Sequence, residues 1–452
     1  MATSGAWHDG TSSFQPSKQP LLSSISGSLQ PQPSDPSSTQ PKLIAPARGA
    51  MGPLHEPLFR SLWIAAVISY TGTWMQNVGA AWLMTSLTMS PLMVGLVQAA
   101  GSIAVFLVVL PAGALADMVD RRKLLLFTQS WMVLAAAALA GLTLAGKITP
   151  GLLLLLTFFM GFGAVLNDPA WQAITPEIVS RENFAAGVAW NSAGFNVARA
   201  IGPAFGGLII AAAGSGIAFL LNAVSFFGVI YFLYRWQHRP AKTLLSTRRM
   251  MSTMFDGVRH MRGSRSVKAV LVRSAAFSIS ASALPALLPL LAHPFGSQGY
   301  GLLLGFFGVG ALTGAAFMPL VRKHIQSDAL VSISTAIFAF TTYAAPEWCT
   351  FALLSLTMFL AGLAWIQILA SLNVAAQTMC PGHMRARAIA MYLLVLQGGL
   401  AGGAALWGEI AELAGTQRSL TYAAVALLAG IPAATWFRLP SADLQPSAAG
   451  MD

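Results

Sequence analysis

The chain has 452 residues, 55% of them hydrophobic and only 9% charged, against about 25% charged in an ordinary soluble domain. So few charges cannot cover the surface of a water-soluble fold, and a mean hydropathy of +0.65 points to a bilayer as the main solvent. The net charge of +11 is accounted for by basic residues gathered on one side of a membrane, so no nucleic-acid partner is needed to explain it.

Residues 1 to about 56 are rich in Ser, Pro, Gln and Gly, and their longest apolar stretch, Leu43 to Ala47, is too short for a signal-peptide core; a disordered tail is expected. Each membrane-spanning helix needs roughly 20 apolar residues. Apolar runs then fall at about 58–86, 91–116, 123–146, 149–171, 183–213 and 216–235. A basic stretch, 236–266, separates them from runs at about 267–292, 298–320, 328–345, 349–376, 386–413 and 418–437. The pattern predicts an all-α integral membrane fold of about twelve transmembrane helices in two six-helix bundles, 57–235 and 267–437, with a short tail at 438–452. Cys349 and Cys380 lie at opposite ends of one predicted helix and cannot form a bridge. The histidines are scattered over the tail, loops and helix ends, so neither a metal centre nor any cofactor is expected.

Cytoplasmic loops near helix ends retain Lys and Arg. With the tail inside, every basic residue falls on the cytoplasmic side except Lys147 and Arg418, outside, and Arg199, within a helix; Lys268 and Arg273 count with the inner loop. Both termini are therefore expected to be cytoplasmic. The halves echo each other at a spacing of about 200 residues: Gly113-Ala-Leu-Ala-Asp117 before Arg121-Arg122-Lys123 against Gly314-Ala-Ala-Phe-Met318 before Arg322-Lys323, and Gln172-x-x-x-Pro176 against Gln377-x-x-x-Pro381.

The segment Gly113-Ala-Leu-Ala-Asp117-Met-Val-Asp120-Arg121-Arg122-Lys123 joins helices two and three. Its small residues allow close helix approach, and Asp117 is placed to meet a basic side chain or the positive end of a facing helix, which would make a latch. An ordinary positive-inside loop is the other reading. In helix five, Gly202-Pro203-Ala-Phe-Gly206-Gly207 removes one backbone hydrogen bond and leaves a flat face, as a hinge or seal would require; a packing face is the plainer reading.

The first segment closely resembles the signature loop of the major facilitator superfamily, departing at Met118 and Asp120. The second resembles the antiporter motif of that superfamily's exporters, with Ala189 and Ala198 at positions usually held by glycine. Asn167 to Gln172, Pro176-Glu177, Asn191 to Arg199 and Asn222 resemble the drug and siderophore exporter branch in particular. The resemblance covers roughly 58–437. It implies a secondary exporter in a bacterial inner membrane that moves a small organic molecule outward by alternating access, with protons as the coupling ion, acting as a monomer. An inward transporter or a lysolipid flippase of the same fold is the first rival. A membrane-embedded sensor or enzyme is the second, and it would need convergent catalytic groups or a signalling domain that the sequence does not display.

Charged side chains within a bilayer are costly and so are functional candidates. Arg199 lies near the midpoint of helix five, Asp168 at the inner end of helix four, where an inner-gate role is expected, and Glu409 toward the outer end of helix eleven, where simple exposure to water is the plainer reading. For Arg199 a fixed structural partner, such as a carbonyl freed by Pro203, stands beside substrate binding as an alternative. Trp74, Trp190, Trp365 and Trp407 lie deep in their helices, either packing toward lipid or lining a cavity for an apolar or aromatic substrate. Gln76, Asn77, Gln367 and Gln397 are the polar companions such a cavity would need.

Overall fold

The computed structural model describes residues 51–236, 265–348, 350–378, 385–432 and 436–439, with 109–118, 265 and 385–387 described by their backbone alone. The N-terminal tail, all but the ends of the central loop, the C-terminal tail, Cys349 and Cys380 lie outside the described residues.

The helices are α1 (Pro57–Leu87), α2 (Pro91–Met118), α3 (Arg121–Leu144), α4 (Pro150–Ile178), α5 (Phe184–Arg235), α6 (Arg265–Ala281), α7 (Ala283–Leu291), α8 (Gly296–Arg322), α9 (Ser327–Ala344), α10 (Phe351–Thr378), α11 (Arg385–Ala414) and α12 (Thr416–Gly430). No strand occurs among the described residues. Eight of the continuous helical stretches are long and apolar enough to cross a bilayer.

Local chemistry sets the ends. Pro57 and Pro150 open α1 and α4 with a pre-set φ and no wasted donor. Asp120 caps α3 by accepting from the Lys123 amide at 3.0 Å, and Thr149 caps α4 through the Leu152 amide at 3.3 Å. Between the expected helices five and six the chain turns at Gly214, whose φ of +81° suits glycine. This residue divides α5 into a first arm up to residue 213 and a second arm from 215. Ser282 interrupts the expected helix seven, giving α6 and α7. Helix α4 runs on through Pro169 and Pro176 to Ile178 rather than ending at 171. Membrane helices tolerate such prolines because neighbouring groups satisfy the freed carbonyls. At the far end α12 stops at Gly430 rather than at 437.

In the first half α1 lies along α5, α3 packs on α4 and α5, and α2 packs on α4. The core there comprises Phe59, Trp171 and Leu233 near one end, Met132 and Phe226 midway, and Met84, Leu139 and Phe219 near the other. The second half has a large core, in which Phe277, Phe338 and Trp365 pack edge to face or tilted with centroids 5.5 to 5.8 Å apart, and a smaller cluster around Leu287, Trp407 and Leu420. Three expectations are corrected by this packing. Trp365 is a core residue. Gln367 is buried and donates to the Gly314 carbonyl at 2.9 Å. Arg273 is not a loop residue but lies within α6, 7% exposed, ion-paired to Asp328, whose carboxylate also accepts from the Leu439 amide at 3.1 Å. A buried cation needs such a counter-charge.

The halves meet along two seams, α5 on α8 and α2 on α11. Both are closed by glycine. A Cβ on Gly207 would lie 2.6 Å from the Ser297 carbonyl oxygen, one on Gly301 2.5 Å from the Pro203 oxygen, and one on Gly95 2.6 Å from the Ala404 oxygen. Trp82 stacks on His293 and Tyr300 across the same end, with centroids 5.9 and 6.1 Å away. Glu412 of α11 accepts from the Ser90 hydroxyl and, at 3.3 Å, from the Leu92 amide at the start of α2. At the opposite end every tie described joins elements of one half: Arg121 to Glu177, Arg122 to the Leu233 and Tyr234 carbonyls, Arg322 to Ser371, and Arg273 to Asp328.

Candidate transport site and gating elements

Arg199 stands on the first arm of α5, two residues and so about 200° around the helix from Ile201. Ile201, Phe205 and Leu208 form an exposed apolar row, whereas Ala198 and Ala200 on either side of Arg199 are buried. The guanidinium carbon lies 5.7 Å from the centroid of the Trp74 ring, within cation–π range. Gly202, one turn on, explains how Trp74 comes to lie there: a Cβ on Gly202 would fall 2.6 Å from the Trp74 Cβ. The opening glycine of the motif thus seats the indole under the arginine.

Phe195, one turn before Arg199, meets Tyr70 edge to face at 5.4 Å and Trp74 at 6.4 Å. Asp168 on α4 is exposed, and its orientation is set by its neighbour Asn167, buried on α3 and accepting from Thr128 at 3.1 Å and Gln129 at 3.0 Å. Anchoring position 167 turns position 168 about 100° away from α3. Arg199 and Asp168 have no hydrogen bond or ion pair among the described residues.

The carbonyl that Pro203 frees is that of Arg199 itself. It faces α8, where a Cβ on Gly308 would be 3.4 Å from it, and it does not receive the guanidinium. Gly206 approaches α1, with a Cβ there 2.9 Å from the Met75 Cα, while Gly207 approaches α8. The motif therefore serves two contacts, Gly202 and Gly206 within the first half and Gly207 between the halves.

Among the polar candidates, Gln76 is corrected: it is buried and accepts from Asn222 at 2.5 Å, which fastens α1 to the second arm of α5. Asn77 is exposed, nearly one turn beyond Trp74 on the same helix. Trp190 gives its carbonyl to the Trp63 indole at 2.8 Å and Trp407 donates to the Ile279 carbonyl at 2.7 Å, so both pack in the protein. Glu409 is exposed near the end of α11. Its neighbour Glu412 makes the inter-half contact instead. Sequence reading passed over Glu412, Tyr70 and Phe195. The Ser90-Pro91 helix start was the available signal for Glu412, since a helix N-terminus attracts a carboxylate.

In the loop motif Asp120 is the α3 cap, Arg121 binds Glu177 at 2.6 Å and the Ala173 carbonyl at 3.1 Å, and Arg122 holds the last carbonyls of α5 at 2.8 and 2.5 Å. Lys123 is exposed. Glu56 adds a tie that the sequence did not suggest, accepting from Ser180 and Asn183 at 2.9 Å. Gly113 and Asp117 fall in the last turns of α2, and their side chains lie outside the described residues.

A helical membrane fold of two abutting halves, with an arginine in the span that rests on aromatic rings and has no ion pair among the described residues, defines a small-molecule transporter of the major facilitator type. The family model for transmembrane secretion effectors matches residues 48–451, and the chain belongs to that family. It is similar to the staphyloferrin A transporter of Staphylococcus aureus, 24% identical over 282 residues, covering 61% of this chain and 70% of that protein. It is also similar to the enterobactin exporter EntS of Citrobacter koseri, 26% identical over 378 residues, covering 79% of this chain and 86% of that one. Among solved structures, the nucleoside transporter NupG superposes with a TM-score of 0.69 at 15% identity, over 85% of this chain and all of that one. An inward-facing bacterial homolog of the lysosomal transporter Spinster gives 0.62 at 13% identity, over 84% and 96%. Identities this low speak for the fold alone.

Proposed function

We propose that the chain is a secondary exporter that carries a small organic molecule, of the siderophore or drug class, from the cytoplasm outward by alternating access. The observation that carries the reading is Arg199, a guanidinium within the span that has no ion pair among the described residues and rests on the Trp74 ring beside Phe195, in a bundle whose seams are closed by glycine. In this reading α5 supplies two spans and α6 with α7 one, giving twelve passes in bundles 57–235 and 267–437, joined by a cytoplasmic loop at 236–266 and flanked by cytoplasmic tails at 1–56 and 438–452. The end bearing Arg121, Arg122, Arg322 and Lys323 is cytoplasmic by the positive-inside rule. The glycine-sealed end is then external, and the conformation is inward-facing.

The gating loop (Gly113, Asp117, Asp120, Arg121, Arg122, Lys123) forms the inner latch, and Gly202, Pro203, Gly206 and Gly207 the hinge. Asp168, exposed within the span, is the group through which a proton would be exchanged for substrate, with Glu409 and Asn77 secondary. The likeness to the staphyloferrin A and enterobactin proteins supports a siderophore-like cargo. The test is flux in oriented vesicles, with culture-medium metabolites from cells with and without the protein supplying the cargo. Accumulation in everted vesicles, abolished by a protonophore, is expected. Accumulation in right-side-out vesicles instead would establish uptake and overturn the proposal.

A further inference from the structure

We infer that His293 and Trp82 form a proton-operated clasp at the sealed end: a proton taken up by the imidazole tightens the hold of one half on the other, so acid on that side of the membrane favours the closed conformation. The orientation proposed above makes that side the external one, but the clasp itself does not depend on it.

The two rings belong to different halves. His293 lies in the short turn between α7 and α8, in the second half, and Trp82 lies on α1, in the first. The rings are nearly parallel, 22° apart, with centroids at 5.9 Å, inside the range in which a cation is attracted to an aromatic face. The indole also stacks on Tyr300, a buried residue of α8, with centroids 6.1 Å apart. Trp82 is thus gripped by two rings of the second half, and opening this end draws it off both.

The imidazole is exposed and makes no hydrogen bond or ion pair among the described residues, so it can take its proton directly from solvent. Histidine is the side chain whose charge changes most readily near neutral pH. Neutral, it offers Trp82 ring stacking alone. Protonated, it sets a delocalised cation over indole, the best of the aromatic faces for one. Exposure lets that cation keep its contact with water, so little of the gain is lost to desolvation.

The groups around the turn offer the imidazole no counter-charge. Helices α1, α7, α8 and α10 pack on it. Arg60 and Tyr70 of α1 and Arg322 of α8 stand three turns or more away along their helices, Tyr300 is the second ring of the stack, and α7 and α10 hold no ionisable residue. Elsewhere at this end Glu347 accepts from Gln417 at 2.6 Å and Glu412 from Ser90, while Glu409, Lys147 and Arg418 are exposed.

The experiment uses the full chain in lipid nanodiscs, with Cys349 and Cys380 replaced and spin labels on Met89→Cys and Arg418→Cys, one exposed position in each half at the sealed end. Pulsed dipolar spectroscopy reads the ratio of short (sealed) to long (open) distances. Between pH 8 and pH 5 that ratio should rise about two- to fivefold, the worth of an exposed cation–π contact. It should stay flat in His293→Gln and in Trp82→Leu, and His293→Arg should hold it near the acid value at both pH values. The set is repeated in Gly207→Ala, so that an end too tightly sealed in the parent still yields a ratio. A ratio that stays level or falls on acidification, an end that never opens in either chain, or a rise that survives His293→Gln or Trp82→Leu would overturn the proposal. Both faces of a nanodisc meet the same buffer and no cargo is present, so the result stands or falls apart from the exporter reading, which vesicle flux decides.

Discussion

Adding a single methyl at the seam between the halves should change the balance of conformations without unfolding the protein. A Cβ on Gly207 would sit 2.6 Å from the Ser297 oxygen and 2.9 Å from the Gly301 Cα, and one on Gly301 2.7 Å from the Gly207 Cα. Ordinary contact begins near 3.4 Å, so the seam must open by about 0.8 Å at Gly207 for alanine to fit, because close-packed backbone has no softer way to yield. Overpacking of this kind costs about 1–3 kcal/mol. The cost falls on the sealed conformation alone, so the population shifts about 5- to 150-fold toward the alternative. The readout is a cysteine pair at Ser90 and Glu412, placed where α2 and α11 touch, in a chain whose native Cys349 and Cys380 have been replaced. Oxidative cross-linking should be fast in the parent and slower in Gly207→Ala and Gly301→Ala, in proportion to the fraction of molecules that leaves the sealed conformation. Two controls bracket the result. Gly206→Ala presses on Met75 within the first half and should lower the melting temperature without slowing the cross-link. Gly402→Ala, with nothing within 4 Å of its Cβ, should do neither. Unchanged cross-linking in both seam variants would refute the reasoning, as would a melting temperature that falls in step with the rate.

A cysteine at the 93% exposed Met89 should react with an impermeant thiol reagent in intact cells and one at Lys323 should not; the reverse pattern would invert the orientation. Asp117→Asn should leave the protein inserted and abundant while reducing transport more than tenfold, as expected of a latch that biases access states; parallel loss of protein would mark it as a packing residue. Truncating Arg273 to Ala strands the Asp328 carboxylate and should destabilise the second half by about 3–5 kcal/mol, read as a fall in melting temperature that Asp328→Asn reproduces only in part. Restoring an amide with Pro203→Ala should let residue 203 bond back to the Arg199 carbonyl, leaving the melting temperature no lower while slowing transport; normal transport would remove the proline from the mechanism.

The helices were legible because lipid makes hydrophobicity and length nearly sufficient: once some twenty apolar residues are required, their boundaries follow from Pro, Gly and charge. The failures are instructive for the same reason. The Asn167-Asp168-Pro169 sequence reads as a helix end in water, but α4 continues because other groups in the bundle satisfy what the prolines free. Arg273 was assigned to a loop because basic residues crowd that region, and only its contact with Asp328, 55 positions away in sequence, reveals it as a buried pair. At the candidate site Arg199, Asp168 and Trp74 stood out by charge or depth. Gln76 did too, but its partner Asn222 lies on another helix and turns it into a structural residue. Phe195 and Tyr70 carried no signal, being aromatic residues in an aromatic-rich membrane chain. Their relation to the charges exists only once α1 is laid against α5.

One residue joins the site to the seam. The Arg199 side chain rests on Trp74, while its backbone carbonyl, left without an intrahelical donor by Pro203, faces Gly308 on the opposite half. One turn further along, Gly202 presses on Trp74 and the Pro203 carbonyl presses on Gly301. If Arg199 binds cargo as proposed, a ligand that draws the guanidinium off the indole would act on the stretch of α5 that carries close inter-half contacts, with no intervening chain of side chains. That stretch is locally short of one hydrogen bond, so it bends at lower cost than an unbroken helix. The remainder of the first half resists the same motion: α1 is fastened through Gln76 to Asn222, α3 through Arg122 to the end of α5, and α4 through Asn167 to α3. Strain introduced at Arg199 is thus relieved most readily at the glycine seam, where the two conformations of a transporter must differ, and least readily inside the bundle, where they must stay alike.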